Sequence, residues 1–202
     1  MRVVLITDRT RYSDIPERVA AIARAVPPGS IAIQVREKDT DGGPLLAFVR
    51  QLQAAAPDVP IWINDRVDLA LAADVAGVHL PERGLSIDDA RAIAGAADRP
   101  LSIGVSRHTV MSALRSTGAD LIQLGPIYET PGKGPRLGPA ALAVRAELPP
   151  TTKLVAVGGI DTPERAREAI TAGADAVAVI RAAWTAPDPA EAIGAIVEAA
   201  RR

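Results

Sequence analysis

The sequence predicts an α/β protein built as a single (β/α)8 TIM barrel, and three observations predict it. Eight short apolar runs recur along 202 residues, helical periodicity fills most of the gaps, and no linker or low-complexity tract divides the chain. One domain spanning 1–202 is therefore expected. A chain of this length buries roughly 70% of its unfolded surface.

The runs are VVLIT (3–7), IAIQV (31–35), PIWIN (60–64), AGVHL (76–80), LSIGVS (101–106), LIQLG (121–125), KLVAVGG (153–159) and AVAVI (176–180). Each is mostly apolar and often β-branched, as strands covered on both faces are. Between them, 14–26, 43–56, 86–96, 108–118 and 162–173 carry helical spacing, and DPAEAIGAIVEAARR closes the chain as a last helix. Asp14, Ser86 and Thr162 stand as N-caps, Pro163 as a first helical residue, and Gly118 and Gly173 as C-terminal stops. An open doubly wound sheet is the structural rival, but it offers no reason for eight equal units.

Composition narrows the function. Hydrophobic residues make up 48% and aromatics only 2%, so the core is built from Ala, Val, Ile and Leu. Lys+Arg 23 against Asp+Glu 24 leaves a net charge of -1, with no excess to draw nucleic acid or a membrane surface. The absence of Cys excludes disulfides, thiolate metal sites and a Cys nucleophile. The apolar run before Asp8 is too short for a secretion signal, and nothing is long enough to span a membrane. A cytoplasmic protein is expected, with homo-oligomerisation left open.

In such barrels the active site forms where strands end and loops begin. Alternation along QVREK puts Gln34, Arg36 and Lys38 on one side, a set that suits an anionic ligand such as phosphate. The plain alternative is a solvated strand end with ion pairs to Glu37 or Asp39. Gly158 and Gly159 follow the seventh run, and Ile180 and Arg181 follow the eighth, where this fold commonly cradles phosphate. Arg181 either reaches a phosphate or pairs on the surface. His108, beside Ser106, is placed for proton transfer near neutral pH, or else simply opens a helix. The irregular stretch 125–142 carries Thr130, Lys133 and Arg136 and reads as a lid or a flexible loop. GVHLPERGLS (77–86) leaves His79 and Glu82 open between metal ligands, catalytic groups and a solvated turn.

Taken in order, LITDR, QVREK, INDRVDLAL, GVHL, IGVSRHT, GPIYETPGK, AVGGI and AVAVI resemble the thiamine-phosphate synthase/TenI superfamily across nearly the whole chain. The synthase branch joins a hydroxymethylpyrimidine diphosphate to a thiazole phosphate, with Mg²⁺ and cationic residues stabilising the departing diphosphate. The resemblance places Gln34, Arg36, Lys38, Asn64, Asp65, Ser106, Thr130 and Lys133 at the pyrimidine and diphosphate positions. It places Gly158, Gly159 and Ile180 at the thiazole phosphate. Asp65 would be a metal ligand, but Gly84 stands where the family's second metal carboxylate belongs, and Gly132 stands where a second substrate-contacting Thr is expected.

Those departures resemble the TenI branch, a thiazole tautomerase that aromatises a carboxythiazole phosphate without metal or organic cofactor. Its catalytic His follows the fifth-run Ser by two, as His108 follows Ser106. The expectation is therefore a TenI-type tautomerase with His108 catalytic and no cofactor. The first alternative is a Mg²⁺-dependent synthase using Asp65, and the second is a non-catalytic binder of thiamine metabolites. A small thiazole phosphate is the expected partner in every case.

Overall fold

All eight apolar runs form strands: Val3–Ile6 (β1), Ile31–Val35 (β2), Ile61–Asn64 (β3), Gly77–Leu80 (β4), Ser102–Arg107 (β5), Leu121–Leu124 (β6), Lys153–Val157 (β7) and Ala176–Val179 (β8). The structure, a computed structural model, describes residues 1–201. Every strand runs parallel to the next, and the ring closes where Val3 of β1 lies opposite Ile31 of β2 on one side and Val177 of β8 on the other. The chain is a (β/α)8 barrel.

Around the barrel lie Ile15–Ala25 (α1), Gly42–Ala55 (α2), Val67–Ala72 (α3), Ile87–Ala96 (α4), Val110–Leu114 (α5), Pro163–Thr171 (α6), Arg181–Trp184 (α7) and Pro189–Ala199 (α8). A 3-10 helix, Pro139–Glu147, takes the place after β6. The Ser86 and Thr162 hydroxyls accept the backbone N–H groups of Asp89 and Arg165, as N-caps do. Asp14 makes no capping bond, because its carboxylate instead accepts from Arg18 Nε at 2.7 Å. The helix expected over 108–118 shrinks to α5. Thr109 and Ser112 cap each other reciprocally at its start, and the chain then turns through Gly118 at φ +83.

Strand alternation sorts the core into two layers. Val3, Leu5, Ile33, Ile63, Val78 and Ile103 face the helices, while Val4, Ile6, Leu121, Val155, Ala176 and Ala178 fill the barrel interior. Each fully buried aliphatic side chain of this kind contributes about 1.5–3 kcal/mol. Trp184 of α7 is buried at the seam between the first and last strands, where its Nε1–H donates to the Ile6 carbonyl at 2.7 Å. Halfway up, the interior turns polar: Gln123 Nε2 donates to Gln34 Oε1 across the barrel at 2.5 Å.

Candidate active site

His79 lies inside the barrel on β4, fully buried, with Nε2 2.9 Å from Ser106 Oγ on β5. The neighbouring strand makes room for it. A Cβ on Gly104 would sit 2.6 Å from His79 Nδ1, so β5 needs glycine where the imidazole passes. Burial, followed by the Arg107 and Arg36 charges, pushes the His79 pKa down to about 3. The ring is therefore neutral at physiological pH and holds the Ser106 hydroxyl at the barrel mouth. His79 is thus an interior hydrogen-bonding residue and no part of a solvated turn, a placement that the sequence reading did not include.

The end of β2 is braced from below. Glu37 is buried, and its carboxylate accepts from Thr7 Oγ1 at 2.5 Å and from the Arg9 backbone N–H at 2.9 Å. Thr7 Oγ1 in turn accepts the Arg36 N–H at 3.0 Å. Glu37 is thus occupied in fixing the backbone and does not pair with the cations beside it. Arg36, Lys38 and Lys133 form no ion pair among the described residues. The Lys133 ammonium has its pKa lowered, first by burial and then by Arg36 and Lys38. Three like charges from two distant segments therefore share one region of the rim.

Asn64 ends β3 opposite His79, and Asp65 follows it in the left-handed region at φ 63, which Asp tolerates better than most residues. The Asp65 N–H donates to the His79 carbonyl at 3.0 Å. A Cβ on Gly84 would lie 2.8 Å from Asp65 Oδ1. Position 84 thus faces Asp65 directly, and it offers no carboxylate there. Among the described residues no group of three His, Asp or Glu is arranged to hold a metal ion. The donor set beside Asp65 does not fit a two-carboxylate Mg²⁺ site.

Across the mouth, Gly158 and Gly159 follow β7 at φ +96 and +70, a conformation side chains rarely adopt. They also sit tightly: a Cβ on Gly158 would be 2.7 Å from Pro126, and one on Gly159 would be 2.7 Å from Tyr128 Cβ. The Gly158 carbonyl accepts from Tyr128 N–H at 3.1 Å, and the Gly159 carbonyl accepts from Arg165 at 2.7 Å. Both carbonyls are engaged with the surrounding structure. The Thr130 hydroxyl leans over this pair, 3.3 Å from where a Gly158 Cβ would be. The Thr130 carbonyl accepts the Lys133 N–H at 3.1 Å, which ties the cation-bearing turn to the cradle. Ile180 follows β8 and precedes α7.

Of the two readings open for Arg181, a phosphate contact or a surface pair, the structure shows an ion pair. Its guanidinium donates to Asp161 at 2.5 Å, bracing the loop after β8 against the loop after β7. His108 stands at the rim, half exposed, with Nδ1 2.7 Å from the Gly125 carbonyl and Nε2 3.9 Å from Glu82. Sequence reasoning missed Gln123, signalled only by being polar within an apolar strand, and although it singled out Glu82 it had no signal for that residue's partner.

The closed parallel barrel thus brings clustered cations and a pair of left-handed glycines together at its mouth. The family described as "Thiamine monophosphate synthase" (TMP-TENI) matches residues 3–183. The chain is 39% identical over 197 residues to a thiamine-phosphate synthase of Geobacillus kaustophilus, covering 92% of this chain and 87% of that protein. It is 38% identical over 214 residues to a thiamine-phosphate synthase of Xanthobacter autotrophicus, covering 100% and 97%. Among solved structures, thiamine phosphate pyrophosphorylase from Pyrococcus furiosus superposes with a TM-score of 0.86 at 29% identity, over 98% of this chain and 95% of that one. The chain belongs to the thiamine-phosphate synthase/TenI family, a family of thiamine biosynthesis. These relatives carry the synthase name, which favours the synthase side of the family over the TenI side that the sequence suggested.

Proposed function

We propose that the protein is a thiamine-phosphate synthase, joining a hydroxymethylpyrimidine diphosphate to a thiazole phosphate with release of diphosphate. The observation that carries this reading is the convergence of Arg36, Lys38 and Lys133 without a carboxylate partner among the described residues. One carboxylate on a substrate does not call for three cations, whereas a departing diphosphate gathers charge as its carbon–oxygen bond breaks. Gln34, Asn64 and Ser106 face the same space and suit the pyrimidine edge. Gly158, Gly159, Ile180 and Thr130 cradle the thiazole phosphate, with Arg181 acting on that loop through Asp161.

The three cations hold the leaving group and neutralise the charge that develops on it. The neutral His79 fixes Ser106 without adding a further positive charge. Since the residues beside Asp65 do not fit a two-carboxylate metal site, these cations carry the electrostatic stabilisation. The test supplies both substrates to the purified protein, with and without Mg²⁺ and with a chelator. Thiamine phosphate is expected to form, and its absence under all three conditions overturns the reading. Lys133→Ala is expected to lower kcat/KM at least about tenfold.

A second reading, the TenI-type tautomerase, is favoured by a separate observation. His108 is held by Gly125 with its second nitrogen free at the rim, and its chemistry needs no metal. Binding of thiazole phosphate with turnover in neither assay would instead identify a non-catalytic binder.

A further inference from the structure

The loop after β4 carries its carboxylate at Glu82, two residues before the glycine that faces Asp65. That offset sends the charge to a different neighbour. Glu82 Oε1 lies 3.4 Å from the His108 backbone N–H, and Oε2 lies 3.9 Å from His108 Nε2. One carboxylate thus addresses both the backbone and the ring edge of the same histidine.

The other side of the imidazole fixes its protonation pattern. A carbonyl oxygen only accepts, so the 2.7 Å contact with Gly125 places the ring proton on Nδ1 and leaves Nε2 as the basic nitrogen. The gap to Glu82 is longer than a hydrogen bond, so the Nε2 lone pair stays available to a substrate. Once Nε2 takes a proton, the imidazolium finds a carboxylate already beside it.

We propose that Glu82 is the positioning residue of a His108 proton-transfer unit acting on a phosphorylated five-membered heterocycle held in the Gly158–Gly159 cradle. The proposal rests on the tautomerase reading of the site. A proton leaves one carbon of the ligand for His108 Nε2, the electron pair moves into the ring, and the same proton returns to another carbon. The product is an isomer, and no oxidant or reductant is involved. The Glu82 carboxylate stands beside the transient imidazolium, while Gly125 holds the tautomer.

The test uses the whole protein and the non-aromatic carboxythiazole phosphate isomer as probe, following aromatisation by absorbance. Glu82→Gln preserves the shape and the contact with the His108 N–H but removes the charge. It is expected to lower kcat at least about tenfold with KM within about twofold. Glu82→Asp, which keeps the charge, is expected to retain more activity than Glu82→Gln. The double variant Glu82→Gln/His108→Ala is expected to be no slower than His108→Ala alone, because the two residues act as one unit. A wild-type rate in Glu82→Gln, or a slower Glu82→Asp than Glu82→Gln, overturns the role of Glu82 while leaving the tautomerase reading intact. A wild-type protein that does not aromatise the probe overturns both.

Discussion

A Cβ at position 84 would stand 2.8 Å from Asp65 Oδ1, and glycine keeps that space clear. Gly84→Asp therefore restores the expected second carboxylate at a cost. Its Cβ also meets Pro81 at 2.8 Å, and two close carboxylates repel. The variant is expected to lose about 1–2 kcal/mol of stability by overpacking and repulsion. Millimolar Mg²⁺ should return most of that loss by binding the folded state. Thermal melts with and without Mg²⁺ check this, and equal stabilisation of the wild type would show that the native site already holds the ion. The missing Asp was legible because a single deviation from a family motif names its own position. The destination of Glu82 was not, since a side chain that reaches a residue 26 positions away leaves no trace in local spacing.

Paired elements show a different kind of dependence. The adjoining strands β4 and β5 share the interior by giving the bulk to His79 and the space to Gly104. Gly104→Ala is expected to cost about 1–3 kcal/mol, because its methyl group displaces the imidazole and breaks the bond to Ser106. Urea denaturation measures that loss, and an unchanged midpoint would mean that the ring yields freely. The strands were readable because period-two alternation and β-branched runs are strong signals. Thus Gln34, two residues from the apolar Ala32 along β2, lies inside the barrel bonded to Gln123. The helices were less so. Side chain–backbone bonds between Thr109 and Ser112 and the turn at Gly118 decide how long α5 is, and they override its apolar periodicity. The partner of Gln34 lies 89 residues away on β6, a relation that only barrel closure creates.

At the scale of the whole molecule, closure makes interior chemistry a matter of global stability. His79 is held at about 3 against an ordinary 6.5. As the pH falls through about 6.5 the unfolded chain takes up a proton that the folded chain refuses. Stability is therefore fully present above that pH and declines toward about pH 3, by up to about 1.4 kcal/mol per pH unit from this group alone. Chemical denaturation between pH 7 and 4 is expected to show a shallower decline in His79→Gln than in the wild type; parallel slopes would place the sensitivity elsewhere. The seam bears on the order in which the ring forms. Trp184 and Ile6 stand 178 residues apart, and their hydrogen bond exists only after the last strand has found the first. With Trp62 replaced by Phe, Trp184 is the sole indole, so its fluorescence becomes a clock for ring closure, readable apart from the helical signal that local segments produce on their own.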